Sequence, residues 1–193
     1  MMRTLTLALV IPACSIVDSD EVAAGKDVGD EIADQIHDEF ADHNEHMLAA
    51  QTGSILHAFN EGEVAQADAA LDMLERTDTK NLAYGFVISY VRANAQLDGV
   101  MHAYAAELIP TQAEAMLVAV TTAGVARLST TPADHMDRVF LELQVQIQAT
   151  AQVILDELER KNDSEPMREY LKGFRDMTDD HRGRAEAILD DLD

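Results

Sequence analysis

The sequence predicts an all-α protein, a helical bundle in one domain. Helix-favouring residues dominate: Ala, Leu, Glu, Gln and Met are plentiful, Gly and Pro occupy only 9 and 4 positions, and Trp is absent. Apolar residues recur at three- and four-residue intervals through several long segments, and no segment alternates as a strand would. With 193 residues, 47% of them hydrophobic, the chain can bury one good core.

The formal charge is −22. That balance excludes a nucleic-acid-binding surface as the main function, because phosphate contacts need Lys and Arg to displace counterions. It fits an acidic, well-solvated exterior.

The first residues read as an export signal. Arg3 is a minimal positive start, and Leu5 to Ile11 is an apolar run too short to span a bilayer. Ile11-Pro12-Ala13-Cys14 resembles a bacterial lipobox, in which Cys14 would carry the lipid and become the mature N-terminus. Cys14 is the single cysteine, so no intrachain disulfide can form. By the same resemblance, Ser15 in place of an Asp favours an outer-membrane anchor on the periplasmic side. The competing reading is a frayed apolar terminus with an ordinary free thiol. Residues 1–14 are thus assigned to the signal, 15–53 to an acidic tether and N-terminal helix, and 54–193 to the bundle.

Ile16 to Asp30 is acidic, contains Gly25 and Gly29, and reads as a tether with weak helical character. A helix is predicted from there to about Gln51, with Ile32, Ile36, Phe40, His43 and Met47 on one face. On a continuous helix, Glu39, His43 and His46 share successive turns and could hold a transition metal, since imidazole suits Cu, Zn or Ni. The alternative is an amphipathic helix whose histidines are solvated or packed. Gly53 is expected to end this helix and Ser54 to cap the next.

The second predicted helix, from Ser54 to about Arg76, is the one around which the rest is organised. Leu56, Phe59, Ala67, Ala70, Leu71 and Leu74 form its apolar face, and Asn60 and Glu63 sit inside that stripe. A carboxylate on a core face needs a partner. A third helix is expected over 80–108, with Phe86, Tyr90, Val91, Leu97, Met101, Tyr104 and Leu108 inward and Asn94 among them. Pro110 stops it. Thr111 and Glu114 form a capping box for a short, mostly apolar helix that should pack on the bundle. Thr131-Pro132-Ala133-Asp134 is a helix start, with Thr131 as cap. That helix carries Phe140, Gln144, Ile147, Gln148, Ile154 and Leu158 on one side, and ends at Asn162-Asp163-Ser164. The last helix turns Leu171, Phe174, Met177, His181, Ala185 and Ile188 inward. Two long hairpins joined by a crossover with a short extra helix make a ferritin-like four-helix bundle.

From Ile55 to Leu189 the chain resembles the bacterial domain-of-unknown-function family 4142, often labelled as outer-membrane proteins. The matching pieces are Asn60-x-x-Glu63-Val64, Phe86-Val87, Asn94-x-x-Leu97, Leu108-Ile109-Pro110, Gln144-Val145 and His181-x-x-x-Ala185-x-x-x-Leu189. The resemblance implies a ferritin-like bundle in an exported protein and implies no established reaction. The family commonly has Asp-His shortly before the Asn, where this chain has Ser89 and Tyr90. It commonly has a His after the Gln-Val, where this chain has Gln148. Tyr and Gln hydrogen-bond well but are poorer metal ligands.

Di-iron bundles use Glu-x-x-His on two helices, and no Glu stands three residues before any of the seven histidines. No nucleotide loop, nucleophile elbow or His-Glu-x-x-His is present. The sequence therefore points to a non-catalytic, lipid-anchored envelope protein with no cofactor. Its buried polar cluster is expected to be Glu63, Tyr90, Asn94, Gln148 and His181, with the first and last bundle helices as neighbours. The alternative is a periplasmic transition-metal or small-ligand binder that uses Glu63 and His181, or the Glu39, His43, His46 face.

Overall fold

A computed structural model describes residues 20–41 and 44–192. The export signal, the Cys14 lipidation site and His43 lie outside the described residues. Among the described residues there are six α-helices and no strand: α1 (Asp20–Glu39), α2 (Glu45–Leu71), α3 (Thr77–Ala103), α4 (Gln112–Thr130), α5 (Ala133–Lys161) and α6 (Glu165–Asp190). The all-α class is as predicted.

Local chemistry explains several of the helix ends. Asn44 caps α2 by accepting from the Met47 amide at 3.0 Å. Thr111 and Glu114 form the expected capping box at the start of α4. At the end of α3, Ala106 donates to Met101 O and Ala105 to His102 O, the paired bonds of a Schellman turn. That turn puts Ala105 at φ 48°, where glycine is the usual residue.

α2 and α5 form a central antiparallel pair. On one side α3 and α6 complete a ring of four, and on the other α4 and α1 complete a second. In the first ring all neighbours are antiparallel, so α3 and α5 share one diagonal and α2 and α6 the other. α4 is the crossover that lets α5 run parallel to α3. The core is continuous through both rings, with Phe59, Phe86, Tyr90, Phe140 and Phe174 at the heart of the first.

Several expectations fail, each for a visible reason. The helix does not run on to Gln51. It stops at Glu39, and α2 starts at Glu45 and passes straight through Gly53 and Ser54. Gly53 lies under the Met101 and Leu108 side chains, so its missing Cβ serves packing instead of a helix end. Asp20 to Asp30 is no tether, because it is helical and packs along α5. A Cβ on Gly29 would sit 2.8 Å from the Val153 Cβ, and Thr150 Oγ1 donates to Gly25 O at 2.9 Å. These glycines bring the α1 backbone onto α5. α3 ends at Ala103, leaving Leu108 exposed. Val91 points away from the core, 56% exposed. Thr131 does not cap α5. Pro132 takes that position, and Thr131 Oγ1 donates back to Arg127 O. Finally, α2 and α6 stand diagonally, touching across the core through Phe59 and Phe174.

Candidate functional site

Four buried side chains, one from each helix of the first ring, meet in a single chain of hydrogen bonds. Gln148 Nε2 of α5 donates to Glu63 Oε2 of α2 at 2.8 Å. Tyr90 Oη of α3 donates to Gln148 Oε1 at 3.0 Å. His181 Nδ1 of α6 lies 3.2 Å from Tyr90 Oη. The tyrosine proton is committed to Gln148, so the histidine is the donor in the last contact, with its hydrogen on Nδ1. Every bond then points toward Glu63.

The helices supply this geometry directly. Glu63, Tyr90, Gln148 and His181 lie on the inward stripes of their helices, so the four stripes converge in one layer. Glu63, Tyr90 and Gln148 have no exposed surface, and His181 retains 3%. Aromatic rings seal the layer: Phe86 lies 4.4 Å from the His181 ring centre, and Phe59 packs edge-on to Tyr90.

Burial sets the charge state. It pushes the Glu63 carboxyl up to about 8, with the Gln148 hydrogen bond opposing. It holds His181 down at about 4 and raises the Tyr90 hydroxyl well above its ordinary value. At neutral pH the relay is therefore a chain of largely uncharged groups. That answers what Glu63 meets on the core face: an amide and a protonated state, instead of a cation.

Asn94 does not join this chain. It is half-buried and accepts from Asn60 Nδ2 at 2.6 Å, one helical turn away. Further polar contacts line the seam of the central helices. Gln144 Nε2 meets Gln66 Oε1 at 3.3 Å, and Asn162, just beyond α5, donates to Thr52 at 3.0 Å. Sequence reasoning passed over Gln66, Thr52 and Asn162. Gln66 sits on the flank of the α2 apolar stripe, Thr52 one turn before Leu56, and Asn162 just past the end of α5, and the packing of α5 and α4 on α2 brings them inside.

Glu157 was also missed. It is 2% exposed, and it meets His37 Nδ1 at 3.0 Å, Lys161 Nζ at 3.7 Å and the Arg160 guanidinium. Lys161 also donates to His37 O. The group clasps the end of α1 to α5. Its one legible signal was its place beside Ile154 and Leu158 on the buried side of α5.

The shared helical face of Glu39, His43 and His46 is not formed, because the helix breaks between Glu39 and Glu45. Glu39 instead receives the Gln112 and Ala113 amides, at 2.7 and 3.3 Å, where the start of α4 favours a carboxylate. His46 Nδ1 contacts Tyr104 O at 3.1 Å. Among the described residues no three His, Cys, Asp or Glu side chains are grouped to hold a metal ion. No described helix is long and apolar enough to cross a membrane.

A groove of about 470 Å³ lies on the outside, between α3 and α6, lined by Val100, Tyr170, Phe174 and Met177 among others. Phe174 is shared, since its ring also packs on Tyr90 and Phe59. It therefore stands between the groove and the relay.

Fold and site together define an all-α bundle whose two central helices are joined by buried, largely uncharged polar contacts. No protein-family model matches the chain, and neither curated proteins nor solved structures give a significant match.

Proposed function

We propose that this is a non-catalytic protein of the bacterial envelope, a ferritin-like acidic bundle anchored by lipid at Cys14, which serves as a structural or binding module. One observation supports the non-catalytic reading most. The groups with the most reactive chemistry, Glu63, Tyr90 and His181, are sealed in the core and bonded to one another. A general acid or base must reach a substrate proton within about 3 Å, directly or through one water. The relay instead fixes which helix faces meet, a role that buried polar groups fill in some proteins. The envelope reading rests on the Leu5–Ile11 run ending at Ala13-Cys14 and on the family resemblance. Mass spectrometry of membrane-extracted protein tests it: acyl chains are expected on Cys14, and Cys14→Ala should move the protein to the soluble fraction. Unmodified Cys14 in the native protein removes the anchor.

A second reading, a small-ligand binder, is favoured by the aromatic groove between α3 and α6. A transition metal held at Glu63 and His181 would have to displace the relay. Metal analysis of protein purified without an affinity tag separates these readings.

A further inference from the structure

We propose that the outer face of α3 is a contact surface for a second copy of this chain, with the two α3 helices packed antiparallel about a twofold axis. Tyr84, Ile88 and Val91 project from α3 into solvent, 57%, 61% and 56% exposed. Ala95 continues the row and is also exposed. Their spacing of four, three and four residues is the seam pattern of paired helices. Among the described residues these side chains stay in solvent, because the core stripe of Phe86, Tyr90, Ala93 and Leu97 lies on the opposite side of the helix.

Two glycines border the same seam. Gly85 and Gly99 are helical, and a Cβ on either would meet nothing within 4 Å. Each weakens the helix relative to Ala without serving a close contact among the described residues. A second helix could approach closely over both positions, as no Cβ stands in its way.

Charge selects the occupant. The chain carries −22, so two copies repel over most of their surface. On α3 the acids Asp78 and Asp98 are offset by Lys80 and Arg92, making this a face on which two copies can approach. The seam is also self-complementary when reversed. Centred between Ile88 and Val91, antiparallel pairing sets Ile88 against Val91 of the second copy and bulky Tyr84 against small Ala95. It brings Lys80 beside Asp98 of the second copy, on the same flank of the seam, and the symmetry repeats this pair. An isologous contact of this kind closes as a dimer.

Sedimentation equilibrium of the full chain tests the proposal. A dimer is expected. Ile88→Glu should raise its dissociation constant at least ~30-fold, because a carboxylate would be buried in the seam of both copies. Far-UV circular dichroism and the urea midpoint of the Ile88→Glu monomer should match those of wild-type monomer, since Ile88 is exposed. Lys80→Asp should weaken association, and adding Asp98→Lys to the same chain should restore it by reversing the pair. A wild-type chain that stays monomeric up to its solubility limit overturns the proposal, whether or not it binds phosphatidylcholine vesicles through the same face. A dimer indifferent to Ile88→Glu, or a charge reversal without rescue, overturns it as well.

Discussion

Gln148 Nε2 donates to Glu63 Oε2 at 2.8 Å, joining α5 to α2 at the centre of the molecule with both side chains fully buried. The pair explains how a helix as apolar as α2 carries a carboxyl group inward. The amide satisfies one oxygen, and burial keeps the proton on the carboxyl until about pH 8.

Stability should depend on pH through Glu63 with a definite sign. Its folded pKa of about 8 stands above the ordinary 4.5, so the folded chain keeps a proton the unfolded chain has lost. The contribution is fully present below about pH 4.5 and disappears as pH rises to 8. His181 acts in reverse. Its contribution is present above 6.5 and disappears as pH falls to about 4. The two offset each other between 4.5 and 6.5, which leaves a net decline between 6.5 and 8. The slope there should be on the order of 1 kcal/mol per pH unit. Urea midpoints for wild type should fall across that window, and those for Glu63→Gln should not. Parallel curves for the two proteins would show that Glu63 is ionised in the fold.

The Glu63–Gln148 contact should be non-additive. Gln148→Leu strands both the carboxyl and the Tyr90 hydroxyl, at a cost of about 1–3 kcal/mol. Glu63→Leu alone strands the amide. The double leucine variant should cost less than the two single changes together, with a coupling of ~0.5–3 kcal/mol. Above pH 8 the carboxyl ionises, and Gln148→Leu should then approach the ~3–5 kcal/mol of a broken buried charge contact. Denaturant titrations at pH 6 and 9 measure both effects, and strict additivity at both would dissolve the relay into independent residues.

Ala105 occupies the left-handed position of the turn that ends α3, at φ 48°. An L side chain is strained there by ~1–2 kcal/mol, and glycine is not. Ala105→Gly should therefore stabilise the protein by roughly 1 kcal/mol, visible as a higher melting temperature, even though glycine gives the unfolded chain more freedom. A lower melting temperature would place the turn in another conformation.

Metal titration should find no site that depends on His46. Its imidazole contacts the Tyr104 carbonyl, and Glu39 is engaged at the start of α4. Calorimetry with Cu(II) or Zn(II) should give the same isotherm for wild type and His46→Ala. A loss of affinity of ~10-fold or more in the variant, the usual cost of a lost ligand, would revive the site.

Much of this was legible in the chain. The periodicity of Leu56 to Leu74, of Phe140 to Leu158 and of Leu171 to Ala185 marks helices and their buried faces, because side-chain direction follows spacing along a helix. Polar residues within those faces, Glu63, Gln148 and His181, were visible for the same reason. The end of α1 at Glu39 and the start of α2 at Glu45 were not, because Asn44 looks like any other polar residue until it caps α2. Gly53 misled because a glycine that ends a helix and one that admits a neighbour look alike in sequence.

The sequence by itself determined the helical class, the capping box at Thr111 and Glu114, and the inward placing of Glu63, Gln148 and His181. Each follows from hydrogen-bonding groups and side-chain spacings within a few residues. Only the tertiary structure decided that α2 and α5 stand at the centre and are buried on both sides. It alone joined Glu63 to His181 through Tyr90 and Gln148, drew Gln66 and Glu157 inside, and left Val91 in solvent. Those outcomes depend on which helices become neighbours, and that is set by close approach at residues such as Gly25 and Gly29, acting between segments more than a hundred residues apart.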